Sequence, residues 1–345
     1  MGFSLRQILV RLVVLGVFIG AVAGAISSLP GLGTLRHRFS HAEALLILLV
    51  ATLKLVSSLS HVLAFRDVFA PGMSWAFSYD VAMAEQATNV LVPTGGAGGL
   101  AVGAWALRDQ GMSAEQVGRR SVAFFVLTSI PNFACIALVG PLLLAGVGGA
   151  APAVLTAIFT GLAWAGLLIT ALLPLGLRRI DPSRAQGHLR ARVRAWAVTL
   201  GDGIAEVRAL LLPRCHWRAL VGAVGWLAFD IASLYAAYAA FGASLPIGPL
   251  VFAYTIGQLG GLIPLPGGVG GTDGGLIGAL VLFGSPLSNA AAAVLLYRAF
   301  QLGLPAVLGT ISFLRLRRRH GKAEELGGLE DGPLAAAPQP EGATR

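Results

Sequence analysis

Pro93-Thr94-Gly95-Gly96-Ala97-Gly98-Gly99 and Pro264-Leu265-Pro266-Gly267-Gly268-Val269-Gly270-Gly271 are two versions of one pattern, each interrupting an apolar stretch. Adjacent Pro and Gly break a helix: Pro lacks the N–H and clashes with the preceding turn, and Gly is a poor helix former. Lipid has no partner for the freed backbone groups, so such breaks persist only inside protein or along a polar cavity. Paired breaks in corresponding positions of two halves point to the binding site of a membrane carrier. Close packing at small residues, the alternative, accounts for Gly16, Gly20 and Gly24 but poorly for Pro-x-Pro-Gly-Gly.

Outward from these breaks the chain is a series of apolar runs. Of its 345 residues 56% are hydrophobic and only 12% are charged, against about 25% charged in soluble domains. Spans are expected at 9–28, 42–64, 121–147, 152–176, 218–241 and 288–313, each long enough to cross a bilayer. The intervening stretches 77–107 and 248–284 are too long for one straight crossing and are broken in the middle. Each reads as a re-entrant hairpin of two half-helices. The fold class is an all-α polytopic membrane protein of about six transmembrane helices plus two such hairpins.

The net charge of +9 is distributed between spans, a positive-inside pattern rather than a nucleic-acid surface, so no nucleic-acid partner is expected. Arg178, Arg179, Arg184, Arg190, Arg192, Arg194, Arg208, Arg214 and Arg218 place 176–218 in the cytoplasm, with 177–217 as a basic amphipathic linker between the halves. Arg315, Arg317, Arg318, Arg319 and Lys322 place the end of the last span there too. An even number of crossings must separate the two clusters, so 248–284 enters and leaves from the outer side. Arg66, Arg108, Arg119 and Arg120 make 77–107 dip in from the cytoplasm. The hairpins enter from opposite faces, which is an inverted repeat, with halves at about 40–176 and 218–315. Arg36-His37-Arg38 falls outside in this arrangement, against the rule. Both termini are expected to be cytoplasmic.

The start, Arg6 to Ile26, is read as an uncleaved span although Ala23-Gly24-Ala25 resembles a cleavage site. Residues 1–320 form the membrane domain and 321–345 a disordered tail. The stretch 183–212 alternates arginines with Leu189, Val193, Trp196, Leu200, Ile204 and Val207. It suits either an amphipathic helix on the anionic leaflet or a solvated linker helix.

Charged residues inside apolar segments need a partner or a wet cavity. Lys54 and Asp230 lie near the middle of spans; Asp273 follows the second glycine turn, and Arg298 lies well inside the last span. Arg298 is a candidate fixed cation for an anionic headgroup, tuned by Asp273. The alternative is a pair of structural ion pairs, Arg298–Asp273 and Lys54–Asp230. Asp80 and Glu85 are placed at the cytoplasmic interface. The substrate-binding set is therefore Arg298, Asp273, Pro264, Pro266, Gly267, Gly268, Gly270, Gly271, Pro93, Gly95, Gly96, Gly98 and Gly99, with Lys54 and Asp230 as further intramembrane charges. No metalloprotease, nucleophile-elbow or P-loop motif is present, and Cys135 and Cys215 lack metal-like spacing. No catalytic residue, metal or cofactor is expected. Ser57, Ser58, Ser60 and His61 are read as interhelical hydrogen bonders.

The run Ile263–Asp273, then Leu295-Leu296-Tyr297-Arg298 and Leu304-Pro305-Ala306-Val307-Leu308-Gly309, resembles the transmembrane region of lysylphosphatidylglycerol synthases. That family is also called flippase-like and has stand-alone members in hopanoid and glycolipid pathways. Asp273 stands where the family usually has Glu. The first turn with Leu107-Arg108-Asp109-Gln110-Gly111 is similar to the family's other motif but lacks its Glu, with Gly99, Leu100 and Ala101 in that place. The resemblance implies movement of a lipid (phospholipid, glycolipid or hopanoid type) across the bacterial inner membrane. It does not imply the aminoacyl transfer in the family's name, which belongs to a separate soluble domain for which this chain has no room. Two other readings stay open. One is a non-transporting scaffold for a lipid-biosynthesis enzyme, and the other an intramembrane lipid-modifying enzyme dependent on Asp273 or Asp230. Membrane lipids are the expected partners; the oligomeric state is not legible.

Overall fold

The computed structural model describes residues 43–69, 72–92, 97–177, 201, 203–205, 207, 217–262, 268 and 270–330. The described elements are all helical. They are α1 (Ala44–Phe69), α2 (Trp75–Leu91), α3 (Ala97–Asp109), α4 (Ala114–Leu144), α5 (Ala153–Leu177), α6 (Trp217–Ala240), α7 (Ile247–Gly257), a 3-10 turn (Gln258–Leu262), α8 (Gly271–Leu282) and α9 (Leu287–Glu330). Five of these (α1, α4, α5, α6 and α9) are long and apolar enough to cross a membrane. They coincide with five of the expected spans; 9–28 lies outside the described residues, as does Arg36-His37-Arg38.

The other four helices have 17, 13, 11 and 12 residues, lengths of about 26, 20, 17 and 18 Å against a hydrocarbon core of about 30 Å. None crosses alone, and they pair as two hairpins, α2 with α3 and α7 with α8. Glycines set both pairings. A Cβ on Gly103 of α3 would lie 1.5 Å from Glu85 Oε1 of α2. On Gly257 of α7 it would lie 2.7 Å from the Leu276 Cα of α8, and on Gly275 2.6 Å from the Gly257 carbonyl. The second arms also end alike: Gly111 and Gly284 adopt φ of +84° and +95°. The next residues donate five positions back, Met112 to Leu107 at 3.2 Å and Ser285 to Leu280 at 3.0 Å, the glycine-stopped helix end.

Hydrogen bonds locate the hairpin mouths. Tyr238, near the end of α6, bonds Ser285, just before α9, at 3.0 Å, so the α7–α8 hairpin starts and ends at one level. Arg120 at the start of α4 donates to the Phe69 carbonyl at the end of α1, which does the same for α2–α3. Helices α1 and α6 run antiparallel. The Glu43 N–H reaches the Ala240 carbonyl at 3.2 Å, Ser233 the Val50 carbonyl at 3.2 Å, and the Ala219 N–H reaches Asp67 at 3.1 Å. The two mouths therefore lie at opposite ends of the α1–α6 pair. Span, hairpin and span recur in the same order, with α1 and α6 as oppositely directed equivalents. This is the expected inverted repeat. Equivalent contacts follow, α9 on the first hairpin at Gly309–Met83 and α4 on the second at Gly140–Phe252.

Charge is as asymmetric as the sequence implies. At the first hairpin's mouth, Arg315 and Arg319 approach Asp80 at 3.6 Å each, and His320 bonds Asp109 at 2.7 Å. The opposite loops, 145–152, 241–246 and 283–286, carry no Lys or Arg. Asp80 is 2% exposed: at the hairpin mouth it is buried between helices, with the half-exposed Arg315 and Arg319 answering its carboxylate. In the 183–212 stretch only 201, 203–205 and 207 are described. Ile204 and Val207 are buried, Val207 among Ala123, Leu127 and Ala219; at these positions the apolar face meets protein, neither leaflet nor water. Helix α9 continues to Glu330, past Gly321 where the tail is expected to start; 331–345 lie outside the described residues.

Candidate functional site

Asp230 sits at the middle of α6, 4% exposed, in a segment whose other residues leave it no choice but an internal partner. Four side chains supply one. Its Oδ1 accepts from Lys54 Nζ of α1 and from Ser57 Oγ at 2.6 Å. Its Oδ2 accepts from Tyr254 of α7 at 2.9 Å and Tyr297 of α9 at 3.2 Å. The antiparallel α1–α6 pairing sets 54 opposite 230. The two tyrosines come from the hairpin arm and the last span, so the carboxylate ties four helices.

One residue after Tyr297, Arg298 is 6% exposed. Its Nε donates to Asp273 Oδ1 at 2.7 Å and its Nη1 to Gln301 Oε1 at 2.7 Å. The other oxygen of Asp273 accepts from the Gly270 N–H at 2.8 Å, so this one carboxylate caps α8 and holds the guanidinium. Gly268, at φ +65°, brings bare backbone to the same place, where a Cβ would be 3.8 Å from Arg298 Nη2. The second glycine turn is thus built onto Arg298. Gly268, Gly270 and Gly271 belong to it; Pro264, Pro266 and Gly267 lie outside the described residues.

The first turn is made differently. The Gly99 N–H at the start of α3 bonds Asn89 Oδ1 of α2 at 2.9 Å, an amide where the second turn has Asp273. Gly98 and Gly99 are described; Pro93, Gly95 and Gly96 are not.

A cavity of about 630 Å³ opens between α4, α5, α6, α7, the 3-10 turn and α9. Phe125, Leu162 and Leu259 at its rim are exposed by half or more of their surface, on helices whose outer faces are apolar. The lining also carries polar groups, Ser129, Asn132, Thr255, Gln258, Gln301 and Asp230 itself, among apolar ones that include the buried Ile136 and Ala163. Gln301 and Tyr254 connect this cavity to both ion pairs. Lys54, Asp230, Asp273 and Arg298 stand out in the sequence as charges in apolar runs. The amides and tyrosines do not, although Tyr297 carries a signal as the Tyr of the Tyr-Arg pair. Ser57 and His61 bond across helices, His61 to Gln86 at 3.2 Å.

Long apolar spans and broken hairpins around buried charges define an all-helical polytopic membrane protein. The chain belongs to the family of lysylphosphatidylglycerol synthase transmembrane regions, whose model matches residues 8–309. It is also similar to a UPF0104 membrane protein of Methanothermobacter thermautotrophicus (strain Delta H), 34% identical over 90 residues. That alignment covers 26% of this chain and 26% of the relative. The chain is thus a multi-pass membrane protein of a lipid-related family.

Proposed function

We propose that the protein moves a polar-headgroup lipid across or out of the bacterial inner membrane, with the basic end and both termini in the cytoplasm. The cavity carries this reading. Exposed apolar side chains, Phe125, Leu162 and Leu259, share its lining with polar groups, Asp230 and Thr255 buried among them, and a lipid's tails and headgroup require both kinds of surface. Its volume of about 630 Å³ suits a headgroup while the tails stay in the bilayer. The inverted hairpins provide two halves that rock about the ion-pair cluster, exposing the cavity alternately. No reaction is assigned to the chain.

The test is reconstitution of the purified protein into liposomes containing headgroup-varied fluorescent lipids, with transbilayer movement followed by chemical quenching of the outer leaflet. Wild type accelerates movement over protein-free vesicles. Ser129→Trp, which fills the cavity wall, returns the rate to that baseline without changing the thermal midpoint. A wild-type protein that accelerates no lipid refutes the proposal, and copurification of a lipid-biosynthesis enzyme would then favour a scaffold.

A further inference from the structure

We propose that the cavity selects an uncharged, hydroxyl-rich headgroup, a glycosyl or polyol lipid, over both anionic and cationic lipids; this rests on the transport reading above.

A buried charge on a ligand requires a counter-charge, because unpaired charges at membrane depth are heavily penalised. Among the described lining residues the one ionic group is Asp230. A carboxylate has about four acceptor sites, and here Lys54, Ser57, Tyr254 and Tyr297 fill them. Lys54 cancels its charge. A cationic headgroup reaching Asp230 must therefore displace a lysine that is already in place.

An anionic headgroup fares no better. No lysine or arginine is among the described lining residues, and the guanidinium behind them, Arg298, is bound by Asp273 and by Gln301. A phosphate would have to break a buried ion pair to reach it.

What the lining does offer is neutral and bifunctional. Asn132, Gln258 and Gln301 are amides, each with donor and acceptor on one group. Asn132 is steadied by donating to the Thr128 carbonyl at 3.1 Å, which leaves its carbonyl oxygen for a ligand hydroxyl. Gln301 accepts from Arg298 through its oxygen, which leaves its NH2 as donor. Sugar hydroxyls both donate and accept, so paired amides match them without any charge.

The experiment uses the full chain in lipid nanodiscs, with monoglucosyl-diacylglycerol, phosphatidylglycerol and a trimethylammonium lipid of identical acyl chains as probes. Equilibrium binding is read by native mass spectrometry. The glucosyl lipid is expected to bind at least about tenfold more tightly than either charged lipid, and Asn132→Ala/Gln258→Ala is expected to remove most of that preference, two amide hydrogen bonds being together worth roughly tenfold. Equal or tighter binding of a charged lipid, no selective binding, or a preference that survives the double substitution at an unchanged melting temperature overturns the inference. Transport of the same probes is measured in parallel. Glucosyl lipid bound but not moved sinks the transport reading alone. Phosphatidylglycerol moved while the glucosyl lipid is ignored sinks the headgroup inference alone.

Discussion

Lys54 and Asp230 show why a buried ion pair must be altered as a unit. With Lys54→Met, Asp230 keeps three hydroxyl donors but loses its counter-charge. The expected loss is about 3–5 kcal/mol, the range for removing one partner of a buried pair. Adding Asp230→Asn removes the orphaned charge, and most of the loss should return. Thermal unfolding of both variants in detergent checks this; a double variant no more stable than Lys54→Met refutes the coupling. These charges were legible because a lysine or aspartate in an apolar run needs a partner, and both pairings were among the sequence's alternatives. The tyrosines' bonds to Asp230 were not legible: Tyr254 is an ordinary residue of an apolar helix, and Tyr297, although marked by the Tyr-Arg pair, shows its partner only once α7 and α9 meet α6.

Between elements, the α1–α6 contact depends on Gly222. A Cβ there would lie 2.5 Å from the Ala64 N and 2.7 Å from the Ser60 carbonyl, both backbone atoms that yield only if the helices part. Gly222→Ala should therefore destabilise by about 1–3 kcal/mol or more, as overpacking does. A Cβ on Gly161 of α5 would meet no neighbouring atom within 4 Å, and Gly161→Ala should stabilise by up to about 1 kcal/mol through helix propensity. Comparing the two melting temperatures decides; equal shifts would remove close approach as the cause. Element positions were readable in the sequence because apolar length marks a span and Pro/Gly marks a break. Which glycine packs and which merely interrupts was not, because that depends on the neighbouring helix.

Over the whole molecule the two hairpin mouths face opposite sides. In a background with Cys135→Ser and Cys215→Ser, single cysteines at Gln110, beside the first mouth, and at Ala150, in the loop packed near the second, should react with an impermeant thiol reagent from opposite sides of the membrane. Reaction of both from one side would overturn the inverted arrangement.

The class, the broken hairpins and their opposite directions follow from the amino-acid order by itself. Bilayer thickness, the exclusion of unpaired backbone from lipid and the placement of arginines act along the chain, where their effects can be counted. The tertiary structure alone decided that Asp230 is saturated by four donors, that Arg298 is held by Asp273 and Gln301, and that Asn132, Gln258 and Gln301 share one cavity. Those groups are distant in sequence, and only helix packing brings their atoms within hydrogen-bond range of one another or of a common ligand.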